Sequence, residues 1–291
     1  MNDNKLKTAF FIIAVGFLYF SGVAAILYPM ASNVLSLSTS RTAISDYVET
    51  VRAMPEEEKS QLWETAEKYN RDIADSNYSD GLERCLCDKD GLVCYVDVPD
   101  VSIYLPVYYG ATDDNLVKGA ALLENTSLPT GGKNTHCVIS GHTGLPSAEM
   151  FTKLDQLTEG QVFYIHVLDR VLAYRAELIS VVTPDKVELL RIAEDQDLCT
   201  LLTCTPYGIN DKRLLVRGTR IPYEPETKKK PEAVPSGNDD AEANEALAAE
   251  IQGQLTIIIL IAGVSVLIYA AGVIWLLLSV KRLRYAEHLR K

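Results

Sequence analysis

Two long stretches without a single charged side chain, one near each end of the chain, constrain this sequence most. Ala9 to Tyr28 and Leu255 to Val280 are both wholly uncharged. A helix needs roughly 20 apolar residues to cross a hydrocarbon layer of ~30 Å, and both stretches meet that length. The second is followed by Lys281, Arg282, Arg284, Arg290 and Lys291, and the first is preceded by Lys5 and Lys7. Basic flanks stay on the cytoplasmic side, so both tips point inward and everything between them faces outward. The formal net charge of −11 fits this layout, because the tips are basic and the acid excess lies between them. An acidic chain of this kind is not a nucleic-acid binder. A cleaved signal peptide is the alternative for the first stretch. Its apolar core is usually ~7–15 residues, shorter than this one, so an anchor is favoured.

The outward-facing part changes period along its length. Over residues 40–74, Ala43, Tyr47, Val51, Met54, Leu62, Ala66, Tyr69 and Ile73 recur at helical steps, with a break at Met54-Pro55. From Leu92 onward the chain becomes a series of short β-branched and aromatic runs: 93–98, 103–107, 136–140, 162–167, 171–182, 198–203 and 214–216. Pro, Gly and Asp clusters punctuate them. That pattern predicts an all-β sandwich or barrel. Residues 224–254 hold almost no large apolar side chain and read as a flexible tether. The organisation expected is a tip (1–8), an anchor or signal peptide (9–28), a helical and possible lid region (40–91), a β domain (92–223), the tether (224–254), a second span (255–280) and a basic tail (281–291).

Among six cysteines, Cys85, Cys87 and Cys94 flank a turn and are compatible with a disulfide or with unpaired thiols. A metal site there is disfavoured, because no histidine joins them. Cys137 and Cys199 fall inside strand runs and read as buried. Cys204 ends a strand run just before Thr205-Pro206-Tyr207-Gly208, which places a thiol at the rigid rim of a loop-lined groove. His142 follows Ser140-Gly141 at another strand end, where the glycine is expected to let the backbone turn. His136 and His166 lie within strand runs and read as structural. Arg213 opens the strand after Cys204, one hairpin away, so its guanidinium is expected to face the thiol. A thiolate nucleophile, an imidazole that shuttles protons and a permanent cation that steadies an oxyanion together suit acyl transfer.

The segment Thr203-Cys204-Thr205-Pro206-Tyr207-Gly208-Ile209-Asn210, followed by Arg213-Leu214-Leu215-Val216-Arg217-Gly218, resembles the signature of the sortase family. Gly141-His142-Thr143-Gly144-Leu145-Pro146-Ser147-Ala148, with Phe151 and Leu154, resembles the histidine segment of class C, pilin-polymerising sortases. The resemblance covers residues 92–223. It implies an eight-stranded sortase β-barrel behind N-terminal helices, flanked by two membrane helices, in a Gram-positive bacterium. It implies Cys204 as nucleophile, His142 as general acid/base and Arg213 as oxyanion stabiliser, with Thr203, Thr205 and Tyr207 as substrate contacts. The implied reaction cleaves an LPxTG-like signal between Thr and Gly through a thioester. A lysine amine of a pilin subunit then resolves that thioester, with no metal or organic cofactor. A lid with an Asp-Pro-aromatic anchor is common in class C. Here Asp75, Tyr78 and Asp80 are the only stand-ins, and no Asp-Pro-Trp or Asp-Pro-Phe is present. Two other readings are a sortase that anchors single surface proteins to the cell wall, and a non-catalytic surface-binding β domain.

Overall fold

The computed structural model describes residues 3–75, 86–223 and 239–289, with side chains over 7–75, 86–223 and 251–282. It divides into two units. Residues 35–240 form one and the two terminal segments, 1–34 and 241–291, form the other.

The larger unit is built on a closed barrel. Its strands are β1 (Leu92–Val98), β2 (Ile103–Tyr109), β3 (Ala120–Leu122), β4 (Thr135–Ser140), β5 (Val162–Val167), β6 (Arg170–Val182), β7 (Asp197–Thr205) and β8 (Lys212–Ile221). They close in the order β1-β2-β3-β4-β7-β8-β6-β5. Two joints are parallel, β2 with β3 and β4 with β7, and the rest are antiparallel. Seven strands coincide with the β-branched and aromatic runs of the sequence. The eighth, β3, reads Ala-Ala-Leu and carries no such signal.

The helix α1 (Asp3–Ala53) runs unbroken through the first apolar stretch and on to Ala53. Pro55 ends it, and α2 (Glu56–Ala74) starts with Glu56, Glu57 and Glu58 in its first turn, where acids favour the helix dipole. The last turns of α1 and the inner face of α2 cover one side of the barrel. Tyr47, Val51, Trp63, Ala66 and Tyr69 are buried there. This cover explains β1, all seven residues of which are buried. Cys94 contributes to the barrel interior, while Tyr95, on the other face, packs edge-on against Tyr47 with ring centres 6.5 Å apart. A strand buried on both faces reads as a continuous apolar run instead of an alternating one.

Polar pins fix the helices in register. The Tyr47 hydroxyl donates to the Val93 carbonyl at 2.9 Å and accepts from the Leu168 amide at 2.8 Å. Asn70, 3% exposed, brackets Leu128: its Oδ1 accepts from the Leu128 amide at 2.7 Å. Its Nδ2 donates to the Leu128 carbonyl at 3.0 Å and to Thr130 Oγ1 at 2.8 Å. Arg170 lays its guanidinium over the Trp63 ring at 3.9 Å.

In the smaller unit, α1 meets α4 (Asp239–Leu289). Both are long and apolar enough to cross a membrane. They are joined by a reciprocal pair of tyrosines: Tyr19 donates to the Ser265 carbonyl at 3.2 Å and Tyr269 to the Ile12 carbonyl at 2.6 Å. The two rings stack with centres 5.8 Å apart. Gly16 leaves the room that Tyr269 needs, because a Cβ there would overlap its ring. Residues 239–254 differ from the composition-based reading of a tether, since they are the first turns of α4. Residues 224–238 lie outside the described residues.

His166 is the one buried histidine of the barrel whose ring nitrogens have no partner among the described residues. It lies flat on Tyr95, ring centres 4.4 Å apart. Burial pushes its pKa down from the ordinary 6.5 to about 4. The neutral form is therefore the folded form. Above pH ~6.5 nothing is lost; below it the unfolded chain takes up a proton that the folded chain refuses until about pH 4, which costs up to about 3 kcal/mol. The urea midpoint of the full chain in detergent is expected to fall between pH 7 and pH 4.5. His166→Phe is expected to raise stability at pH 7 and to flatten that slope. Part of the slope stays with His136, whose pKa burial also lowers. Asn70→Ala strips three buried hydrogen bonds and orphans both backbone groups of Leu128, a loss of about 2–4 kcal/mol. Its melting temperature is expected to drop by roughly 5–10 °C.

Candidate active site

The site lies where β4, β7 and β8 run side by side. Strand pairing puts Val138, Thr200 and Arg217 in one row, and Ser140, Leu202 and Leu215 in the next. Side chains two apart along a strand share a face, so these rows line one face of the sheet. The next position on that face is Cys204, paired directly with Arg213. The hairpin pairing expected from the sequence is thus the observed one.

His142 is brought to the same end by an extension of the parallel joint. β4 stops at Ser140, paired with Leu202, but the Gly141 amide still donates to the Leu202 carbonyl at 3.0 Å. Two residues beyond that last pair, the two chains reach His142 and Cys204. Both are half-buried, as is Arg213. Behind His142 the chain turns, and the Phe151 amide donates to the His142 carbonyl at 3.0 Å. Gly141 is needed for a reason other than the tight turn expected. Its backbone is not left-handed, but the Phe151 ring lies so close that a Cβ would sit 2.7 Å from it. Gly144 does need glycine's freedom, with φ of +77°, and the Tyr207 ring lies 3.2 Å from where its Cβ would be.

The guanidinium of Arg213 is turned toward its own hairpin. Its Nη1 donates to the carbonyls of Asn210 at 3.3 Å and Lys212 at 3.0 Å. These bonds hold the head of the side chain at the hairpin end, beside the strand position of Cys204. Beyond Cys204, the amides of Ile209 and Asn210 both donate to the Pro206 carbonyl, which closes the loop from Pro206 to Asn210. Tyr207 stands on that loop, 68% exposed.

Thr205 is half-buried at the rim next to Cys204. Thr203 is 2% exposed and points to the other face, where its hydroxyl donates to the Gly141 carbonyl at 2.7 Å. Its place is behind the thiol, not on the groove. The sequence reading missed Thr143, whose Oγ1 is 2.8 Å from that of Thr203. The available signal was a threonine next to each of the two key residues.

His136 holds down one wall. Its Nδ1 donates to the Arg191 carbonyl at 2.8 Å, because a carbonyl only accepts; Nε2 then accepts from the Thr200 hydroxyl at 2.7 Å. Arg191 belongs to the long connection between β6 and β7, so the ring clips that connection onto the outer face of β4 and β7. Asp75 is exposed and caps the C-terminus of α2, its amide donating to the Arg71 carbonyl at 3.0 Å. Tyr78 and Asp80, the other two lid candidates, lie outside the described residues, as does Cys85. Cys94, Cys137 and Cys199 are free thiols inside the barrel. Burial pushes the Cys94 and Cys199 thiols up, which makes them poor nucleophiles. Among the described residues no group of three or more His, Cys, Asp or Glu is placed to hold a metal ion. In the Gly131-Gly132 turn, the Gly132 amide donates to Asp197 Oδ2 at 2.6 Å.

Comparison with known proteins gives a consistent answer. Residues 96–221 match the model of the Sortase domain. The structure of Clostridium perfringens sortase C with the C-terminal cell wall sorting motif is 44% identical. It aligns with a TM-score of 0.60 over 63% of this chain and 100% of its own. The sortase C of Streptococcus pneumoniae, described for its pilin substrate specificity, is 43% identical with a TM-score of 0.58, over 62% of this chain and 97% of its own. Sortase A of Bacillus anthracis is 31% identical over 136 residues, 46% of this chain and 62% of the relative. Sortase A of Streptococcus agalactiae is also 31% identical, over 38% of this chain and 45% of the relative. The chain thus spans less than two thirds of the length of these two curated relatives, while it covers the sortase C structures almost end to end. A closed barrel whose strand order brings the sequence signature to one rim, matched along its whole length by proteins sharing more than two residues in five, makes this chain a member of the sortase family, with class C sortases as its structural neighbours.

Proposed function

We propose that the chain is a membrane-anchored cysteine transpeptidase that joins pilin subunits. The observation that supports this reading is the direct pairing of Cys204 with Arg213 across β7 and β8, with the segment that carries His142 leaving β4 beside Leu202. The Cys204 thiolate attacks the carbonyl carbon of the Thr–Gly bond in an LPxTG-like signal. The C–N bond breaks, the imidazolium of His142 gives its proton to the leaving glycine amine, and a thioester remains on Cys204. A lysine amine of the next subunit attacks that thioester, passes a proton to His142 and releases the thiolate, leaving an isopeptide bond. Arg213 stabilises the oxyanion in both halves, since a guanidinium never deprotonates. No step requires a cofactor.

Pilin polymerisation is favoured over the anchoring of single surface proteins by identity and coverage. The sortase C structures are more than 40% identical and covered almost throughout, whereas the sortase A relatives are near 30% and covered in part. Under this reading both apolar helices are anchors, the basic tips are cytoplasmic and the barrel lies outside the cell. Tyr207, exposed on the loop beyond Cys204, contacts the signal peptide, and Thr205, at the very end of β7, reaches it only where the chain leaves the strand.

In full-length protein in detergent, Cys204→Ser is expected to keep the fold and lose at least about a hundredfold in turnover of a sorting-signal peptide, because an alcohol lacks a base strong enough to activate it. Arg213→Lys is expected to lose about a hundredfold in kcat, since an ammonium does not reproduce the planar fork. Rates near wild type in either variant overturn the assigned role. Given the peptide with both a pilin lysine and a cell-wall peptide amine, the enzyme is expected to join it to the lysine. Exclusive use of the cell-wall amine would establish the anchoring reading instead.

A further inference from the structure

We propose that Thr203 and Thr143 act together as positioning residues that hold His142 against Cys204. The inference rests on the reading of the site given above, and adds to it two hydroxyls that touch no substrate.

Thr203 lies directly before Cys204 in β7, so its side chain points away from the thiol and into the barrel wall. It is 2% exposed. Its hydroxyl has one proton, and the Gly141 carbonyl, 2.7 Å away, takes it. The hydroxyl of Thr143 is 2.8 Å from that of Thr203 and 3.4 Å from the Phe151 carbonyl. A hydroxyl already donating still accepts, so Thr143 donates to Thr203 along the shorter path. The result is a relay, Thr143 to Thr203 to Gly141, in which each bond polarises the next.

The relay works where the sheet has run out. β4 ends at Ser140, and past it a single ladder bond remains, from the Gly141 amide to the Leu202 carbonyl. With the Thr203 bond, both backbone groups of Gly141 are fixed to the two residues just before Cys204. Thr143 fixes the residue on the other side of His142. The imidazole is thus bracketed, before and after, by one side chain of the nucleophile's own strand. β7 itself needs none of this, because its pairing with β8 continues from Leu198 to Thr205. Loss of the relay therefore frees the histidine segment and leaves the barrel intact.

A merely structural residue would change stability and leave the catalytic parameters in proportion; a positioning residue changes kcat. In full-length protein in detergent, with a sorting-signal peptide and an amine acceptor, Thr203→Val is expected to lower kcat about 10–100-fold with KM within about twofold, since small misplacements of a reacting group have effects of that size. Thr203→Ser, which keeps the hydroxyl, is expected to stay within about threefold of wild type. Thr143→Val is expected to resemble Thr203→Val, and the double variant to be no worse than the weaker single, as for two groups in one relay. The proposal is overturned by a Thr203→Val enzyme within about twofold of wild type in kcat. It is equally overturned if Thr203→Ser is as impaired as Thr203→Val, if KM rises while kcat holds, or if the two valine effects multiply. Cys204→Ala separates the levels. If it is inactive while Thr203→Val is fully active, the relay alone is wrong; if it turns over at the wild-type rate, the reading of the site falls and the relay with it.

Discussion

The parallel joint between β4 and β7 is the constraint on which everything else rests. Parallel neighbours cannot be linked by a tight turn, so the chain must travel through β5, β6 and the long connection after it before β7 returns to lie beside β4. The register of that one joint then decides which residues share the rim. A slip of a single residue would swap Thr203 with Cys204, turning the thiol into the wall and the hydroxyl toward solvent. Several features guard against such a slip. Cys137 and Cys199 pair in the barrel interior, the His136 ring reaches from β4 to Thr200 and to Arg191, and the Gly141 amide continues the ladder one residue past the strand.

Much of this was legible in the sequence, for physical reasons. Runs such as 162–167 and 171–182 are rich in β-branched and aromatic residues because their side chains pack on a pleated surface, and they became β5 and β6. The hairpin between Cys204 and Arg213 could be read from the distance between them, since a turn and two short strand ends fill it. The closed order of strands was not derivable in that way. The resemblance implies an eight-stranded barrel but no order of strands, and local periodicity carries no information about which strands meet across a barrel.

The misreadings are equally physical. Ala120–Leu122 has no strand signature because its place is fixed by neighbours on both sides. The polar residues 239–254 looked like a tether by composition, yet Ala, Glu and Gln are strong helix formers and continue the helix that follows. Gly141 was assigned a turn, but the demand on it is steric and comes from Phe151, ten residues later, which no local rule sees. The resemblance makes Thr203 a substrate contact. The alternation of a strand sends it the opposite way.

The closure of the barrel has a consequence for what it is able to recognise. Many proteins capture an extended peptide by letting it join an exposed sheet edge, where the backbone supplies most of the affinity. A sheet whose last strand pairs with its first offers no such edge. An incoming tail must be gripped through its side chains and by the loops that crown the rim. Recognition on these terms reads only a few positions of the tail.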